Sequence, residues 1–130
     1  MDYLDKEKFV ECFGYYGFHA TGLVEIFDFE GEQDYQAHLR IRTDFHALIS
    51  KGFTEYEAII ELCKQSNISF EILLKLDHEI TITTFMNGKE WKASTFNGNR
   101  FDASEILADE LGMLLYVRYK NIIFIEDASK

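Results

Sequence analysis

Three features of the sequence predict an α+β fold. Residues from Ile68 to Phe96 carry strand periodicity broken by an Asn87-Gly88 turn, Thr54 and Glu57 form a capping signature, and a long helical pattern follows the Asn97-Gly98-Asn99-Arg100 loop. Strands and helices therefore fall in separate runs, which favours α+β over an alternating parallel sheet. The expected architecture is an antiparallel sheet made of a hairpin, a three-stranded meander and a C-terminal strand, covered by about four helices. At 130 residues the chain is expected to form one globular domain over 1–130.

The meander is the strongest of these signals. Phe70, Ile72, Leu74 and Leu76 alternate with Ser69, Glu71, Leu73 and Lys75, and Ile80, Ile82, Thr84 and Met86 alternate in the same way. Asn87-Gly88 suits a type I′ turn, whose two central residues both need φ > 0. That turn sets Met86 opposite Lys89, Thr84 opposite Trp91, Ile82 opposite Ala93 and Ile80 opposite Thr95. One face is then apolar and the other mostly polar. A three-residue loop over Asp77, His78 and Glu79 would pair Leu76 with Ile80, Leu74 with Ile82 and Ile72 with Thr84. Asp77-His78-Glu79 is read as a solvated turn.

The first helix is expected over residues 3–13, capped by Asp2 or Asp5, with Leu4, Phe9, Val10 and Phe13 inward. Gly14, Gly17 and Gly22 then punctuate a connector, YYGFHATG. Residues 23–29 and 34–43 read as a second hairpin, because Tyr35, Ala37, Leu39 and Ile41 alternate with Gln36, His38, Arg40 and Arg42. Its register would place Glu25 beside His38, a cross-strand charge pair. A helix from Asp34 is the competing reading, since Leu39, Phe45, Leu48 and Ile49 also fit helical spacing. A short helix over 45–51 should follow Thr43-Asp44 and stop at Gly52, with His46 packed or at the surface.

Thr54 and Glu57 form a capping box, in which side chain and backbone hydrogen-bond reciprocally. The helix they start should bury Ala58, Ile59, Leu62 and Cys63 and end near Ser66-Asn67. After the meander, Asp102 and Glu105 repeat the capping logic for a helix over 103–119. Acidic residues in its first half and Arg118 and Lys120 in its last turn complement the helix dipole. This helix should lie on the sheet face carrying Leu74, Ile82 and Trp91. Asn121 would cap it, and Ile122 to Ile125 would form a final strand.

Composition narrows the function classes. The formal charge is −10 and the pI about 4.8, which argues against direct nucleic-acid binding and favours a basic protein partner or mere solubility. Aromatic residues are 15% and proline is absent, which supports a packed core without disordered linkers. No apolar run approaches the roughly 18 residues of a membrane span, and no signal-peptide core is visible. A cytoplasmic protein is expected, with Cys12 and Cys63 as reduced, buried thiols.

Catalytic and cofactor signatures do not emerge. Gly14, Gly17 and Gly22 match no phosphate-binding loop, and His19, His38, His46 and His78 stand at no metal-ligand spacing. No cofactor or metal is expected. Two regions remain as candidate sites. Between residues 9 and 39 there is no lysine or arginine, while Glu25, Asp28, Glu30, Glu32 and Asp34 crowd the expected hairpin tip. Asp28, Glu30, Glu32 and Asp34 are the candidate partner-binding residues. Tyr15, Tyr16, Phe18 and His19 are the candidate lining of a ligand pocket.

The resulting expectation is a small acidic protein-binding module, of the kind an inhibitor or immunity-type protein of phage or bacteria would be. Size, charge and lack of motifs carry that analogy, not a matched signature. Alternatives are a ligand-binding protein or enzyme with a pocket under Tyr15–His19, and a structural or assembly subunit.

Overall fold

A helical layer and a three-stranded sheet share one core in the computed structural model, which describes residues 4–17, 32–75 and 78–128. In chain order the elements are α1 (Lys6–Gly17), α2 (Glu32–Ser50), α3 (Glu55–Gln65), β1 (Ile68–Leu74), β2 (Glu79–Met86), β3 (Lys89–Asn97) and α4 (Arg100–Ala128). Four helices and an antiparallel sheet among the described residues make this an α+β fold.

Helix α4 is the centre of the packing. Its 29 residues span about 43 Å, and α1, α2 and the sheet all pack on it. Ala103, Leu107, Ala108, Leu111, Leu114, Leu115, Tyr119 and Ile123 are buried. These positions continue past 119, so the expected strand over 122–125 is instead the last part of the helix, and Asn121 lies inside it rather than at its cap. Ile123 is buried at helical spacing from Tyr119, which keeps the stretch helical. Arg118 and Lys120 consequently sit two turns from the end, and no basic residue occupies the last turn. The N-terminal cap also moves, to Asn99: its amide donates to Asp102 Oδ2 at 3.2 Å and its side chain accepts from the Asp102 amide at 3.1 Å. The reciprocal pair is Asn99–Asp102, three residues earlier than the expected Asp102–Glu105 pair.

Helix α1 starts at Asp5, whose Oδ1 accepts from the Lys8 amide at 2.8 Å. The Asp5 amide donates to the buried Ser104 Oγ at 2.8 Å, which fastens the start of α1 to α4. Phe9 and Phe13 are fully enclosed. The helix continues through Gly14 to Gly17, so the first half of the expected connector is helical.

Residues 34–43 form the first half of α2, not the return strand of a hairpin. Ala37, Ile41, Phe45 and Leu48 are buried, a stripe at helical spacing that runs unbroken across Thr43-Asp44. Alternation of Tyr35, Ala37, Leu39 and Ile41 contains two members of that stripe, which is why it imitates a strand. Tyr35 is exposed and Leu39 half-buried, as a helix requires and an alternating strand does not. Thr43 does not open a new helix; its Oγ1 donates to the Leu39 carbonyl at 2.8 Å within α2. His38 stacks on Tyr116, with ring centroids 4.7 Å apart, and Glu25, its expected cross-strand partner, lies outside the described residues. The expected partner strand, 23–29, lies outside the described residues. The stop at Gly52 holds: φ is +102°, with Gly52 donating to the Ile49 carbonyl and Phe53 to the Leu48 carbonyl.

The sheet order is β1-β2-β3. Asn87 and Gly88 have φ of 55° and 79°, and Met86 pairs with Lys89 as the type I′ turn demands. Beyond Phe85–Glu90 a β-bulge intervenes, and Thr84 pairs with Lys92, Ile82 with Ser94 and Ile80 with Phe96. The bulge puts Trp91 out of register, so the residues of β3 beyond it exchange faces. Trp91 is 48% exposed, and the expected packing of α4 on Leu74, Ile82 and Trp91 holds only for Ile82; Leu74 is also 48% exposed. Glu110 of α4 explains the exchange. This carboxylate is buried, accepts from Ser94 Oγ at 2.9 Å and lies 3.7 Å from Lys92 Nζ. The inward side of β3 thereby sets the Ser94 hydroxyl and the Lys92 ammonium beside Oε1 of this buried acid.

At the other turn Leu74 pairs with Ile80, Ile72 with Ile82 and Phe70 with Thr84. The register is two residues from the expected one, because the Lys75 amide donates to the Glu79 carbonyl at 2.8 Å and lengthens the loop. A shift of two keeps every side chain on its expected face.

Candidate interaction surface

Helices α1 and α3 stand side by side and leave an open groove of about 710 Å³ between them. Glu7, Val10 and Glu11 line it from α1, at the one-turn spacing that puts three residues on one helix face. Thr54, Glu55, Tyr56 and Glu57 line it from the first turn of α3, and Lys6 sits at one end. Val10 and Tyr56 are half-buried and make the apolar floor; the four glutamates are exposed on the rim.

Local chemistry fixes this geometry. The Glu57 amide donates to Thr54 Oγ1 at 3.1 Å and the Thr54 amide to Glu57 Oε1 at 3.1 Å, the expected capping box. Hydrogen bonding of the Glu57 carboxyl to the Thr54 side chain and to the Thr54 amide holds it below its ordinary pKa. The Tyr56 ring packs edge-on against Phe9 at 5.5 Å, and Phe9 is fully buried, so the ring is held from behind. Lys6 Nζ lies 4.9 Å from the Tyr56 ring centroid, a cation–π contact inside the groove. Four carboxylates face Lys6 in the groove and Lys8, whose Nζ lies 3.8 Å from Glu11 Oε1; the excess of acid over base gives the rim a negative potential over an apolar floor, an arrangement suited to a cationic, amphipathic ligand.

The residues singled out from sequence have other positions. Tyr15 and Tyr16 lie in the last turn of α1, while Phe18 and His19 are outside the described residues. Glu32 and Asp34 are in the first turn of α2, not at a hairpin tip; Asp28 and Glu30 are outside the described residues. The second half of the expected hairpin tip is therefore the start of a helix.

His46 is exposed beside Phe45, and His78 is an exposed turn residue with φ of 63° whose carbonyl accepts from the Gly98 amide. No group of His, Cys, Asp and Glu that could hold a metal occurs among the described residues. Both cysteines are free; burial pushes the Cys63 thiol up to about 12 and raises that of the half-buried Cys12. Neither therefore has the depressed pKa of an activated nucleophile. No helix among the described residues is long and apolar enough to cross a membrane.

The groove residues were not visible as a set in the sequence. A signal existed in halves: Glu7 and Glu11 frame Val10 at helical spacing, and Glu55 and Glu57 flank Tyr56 in a capping box. Only tertiary packing joins positions 7–11 to 54–57. Searches of protein-family models, curated proteins and solved structures find no match to this chain.

Proposed function

We propose that this chain is a small protein-binding module that covers a basic site on another protein, acting in the cytoplasm as an inhibitor or immunity-type protein does. The observation carrying the proposal is the α1–α3 groove, apolar at Val10 and Tyr56 and rimmed by Glu7, Glu11, Glu55 and Glu57. A formal charge of −10 on the whole chain supports it, because a long-range negative field speeds encounter with a cationic surface. Asp28, Glu30, Glu32 and Asp34 add to the same field. Free cysteines, one of them deeply buried, suit a reducing compartment.

The experiment is affinity capture from the native host at low ionic strength, followed by association kinetics with the purified partner. The expected partner is basic, and its association slows several-fold as salt shortens the screening length to about 8 Å at physiological strength. A partner that associates at the same rate at all salt concentrations would refute the proposal.

A further inference from the structure

We infer that the α1–α3 groove takes a short basic amphipathic helix of the partner, and that Lys6 is a resident stand-in for the cation this helix brings. The inference rests on the reading of the groove as a partner-binding face.

Three observations lead there. Both walls are helical, one of them the capped first turn of α3, so they offer no strand edge to an incoming peptide. A ligand in such a trough must satisfy its own backbone, which a helix does. Next, the floor and rim ask for two kinds of side chain at once. Val10 and Tyr56 match an apolar stripe, while Glu7 and Glu11 on one wall and Glu55 on the other match lysine or arginine beside that stripe. Last, the groove already holds a cation. Lys6 Nζ lies 4.9 Å from the Tyr56 ring centroid, on a ring fixed from behind by Phe9. An incoming arginine or lysine would take that ring face, and Lys6, on an exposed helix start, would turn into solvent.

Displacement makes a signed prediction that charge alone does not make. Removing Lys6 vacates the ring face, whereas removing a distant lysine such as Lys89 on β3 only adds one unit of net negative charge. The probe is a fluorescein-labelled synthetic peptide with leucine and arginine at helical spacing; a scrambled peptide of equal composition is the control. Affinities are measured by anisotropy for the wild-type chain, Lys6→Gln, Lys89→Gln and Tyr56→Leu, with amide chemical shifts mapping the bound peptide.

Lys6→Gln should tighten binding about threefold, from the loss of one competing cation–π contact. Lys89→Gln should stay within about 1.5-fold at physiological salt, where distant exposed charges are screened. Tyr56→Leu should weaken binding, the scrambled peptide should bind more weakly, and shifts should centre on Val10 and Tyr56. Equal tightening by Lys6→Gln and Lys89→Gln, or shifts centred away from the groove, would overturn the inference. The captured partner separates that failure from a deeper one. If the partner still associates in a salt-dependent way, the module reading stands and only the groove assignment falls; if it does not, both fall.

Discussion

The α1–α3 groove and the outer face of the sheet both carry apolar side chains, and they differ in what surrounds them. On the groove side Val10 and Tyr56 lie beneath a rim of glutamates. On the sheet side Leu73 and Trp91 are about half exposed, at 56% and 48%, and a threonine pair crosses the strands with Thr81 Oγ1 and Thr95 Oγ1 3.0 Å apart. The sheet also carries its own deterrents to pairing, a bulge at Trp91 and the lysines Lys89 and Lys92 on edge strand β3. Exposed apolar area alone names no partner; a charged frame around it names at least the sign of one.

Stability measurements sharpen the contrast between the sheet's two faces. Ile82→Ala, at a fully buried position on the central strand, should cost about 3 kcal/mol in denaturant unfolding. Thr54→Ala should come next, at about 1 kcal/mol, because it removes the cap that starts α3 and shapes one wall of the groove. Its partner Glu57 adds a pH dependence. The folded carboxyl titrates below its unfolded value, so its contribution is present above the ordinary glutamate range and fades as pH falls through the lowered folded pKa. In Thr54→Ala that part of the acid-side loss should shrink, because the side-chain hydrogen bond goes while the residue-54 amide remains. Leu73→Ala and Trp91→Ala, on the exposed side, should each cost less than about 1 kcal/mol. A larger loss at Trp91 than at Ile82 would mean that the bulge does not exist and that Trp91 is in the core.

Thiol chemistry tests the burial pattern independently. Cys12, half-buried, should alkylate in the native protein, whereas Cys63 should react only on unfolding. The raised thiol pKa of Cys63 also predicts a loss of stability as pH rises from the unfolded value near 9 towards about 12, where the unfolded chain releases its proton first.

Local signals were legible in the sequence where one short-range interaction decided the outcome. The Thr54–Glu57 box, the Gly52 stop, the Asn87-Gly88 turn and the buried set Ala58, Ile59, Leu62 and Cys63 are all of this kind. Legibility failed where two periodicities overlapped or a distant group intervened. Ala37 and Ile41 satisfy both a strand and a helix, and only Phe45 and Leu48 beyond Thr43 resolve the choice. The bulge turns Ser94 and Lys92 toward Glu110 of α4, a contact that no pattern within the meander itself announces. For the site, an acidic region was visible between 25 and 34, but the groove needs two helices packed together before its glutamates become neighbours.

The comparison of the two surfaces reduces to one measurement. Association of the captured partner should be followed across a salt series for the wild-type chain, Glu7→Gln/Glu11→Gln/Glu55→Gln and Leu73→Ala/Trp91→Ala. The groove triple should slow association by about threefold to tenfold at low salt and flatten the salt dependence, while the sheet double should leave both unchanged. Slowing by the sheet double, with the groove triple at the wild-type rate, would contradict the groove assignment.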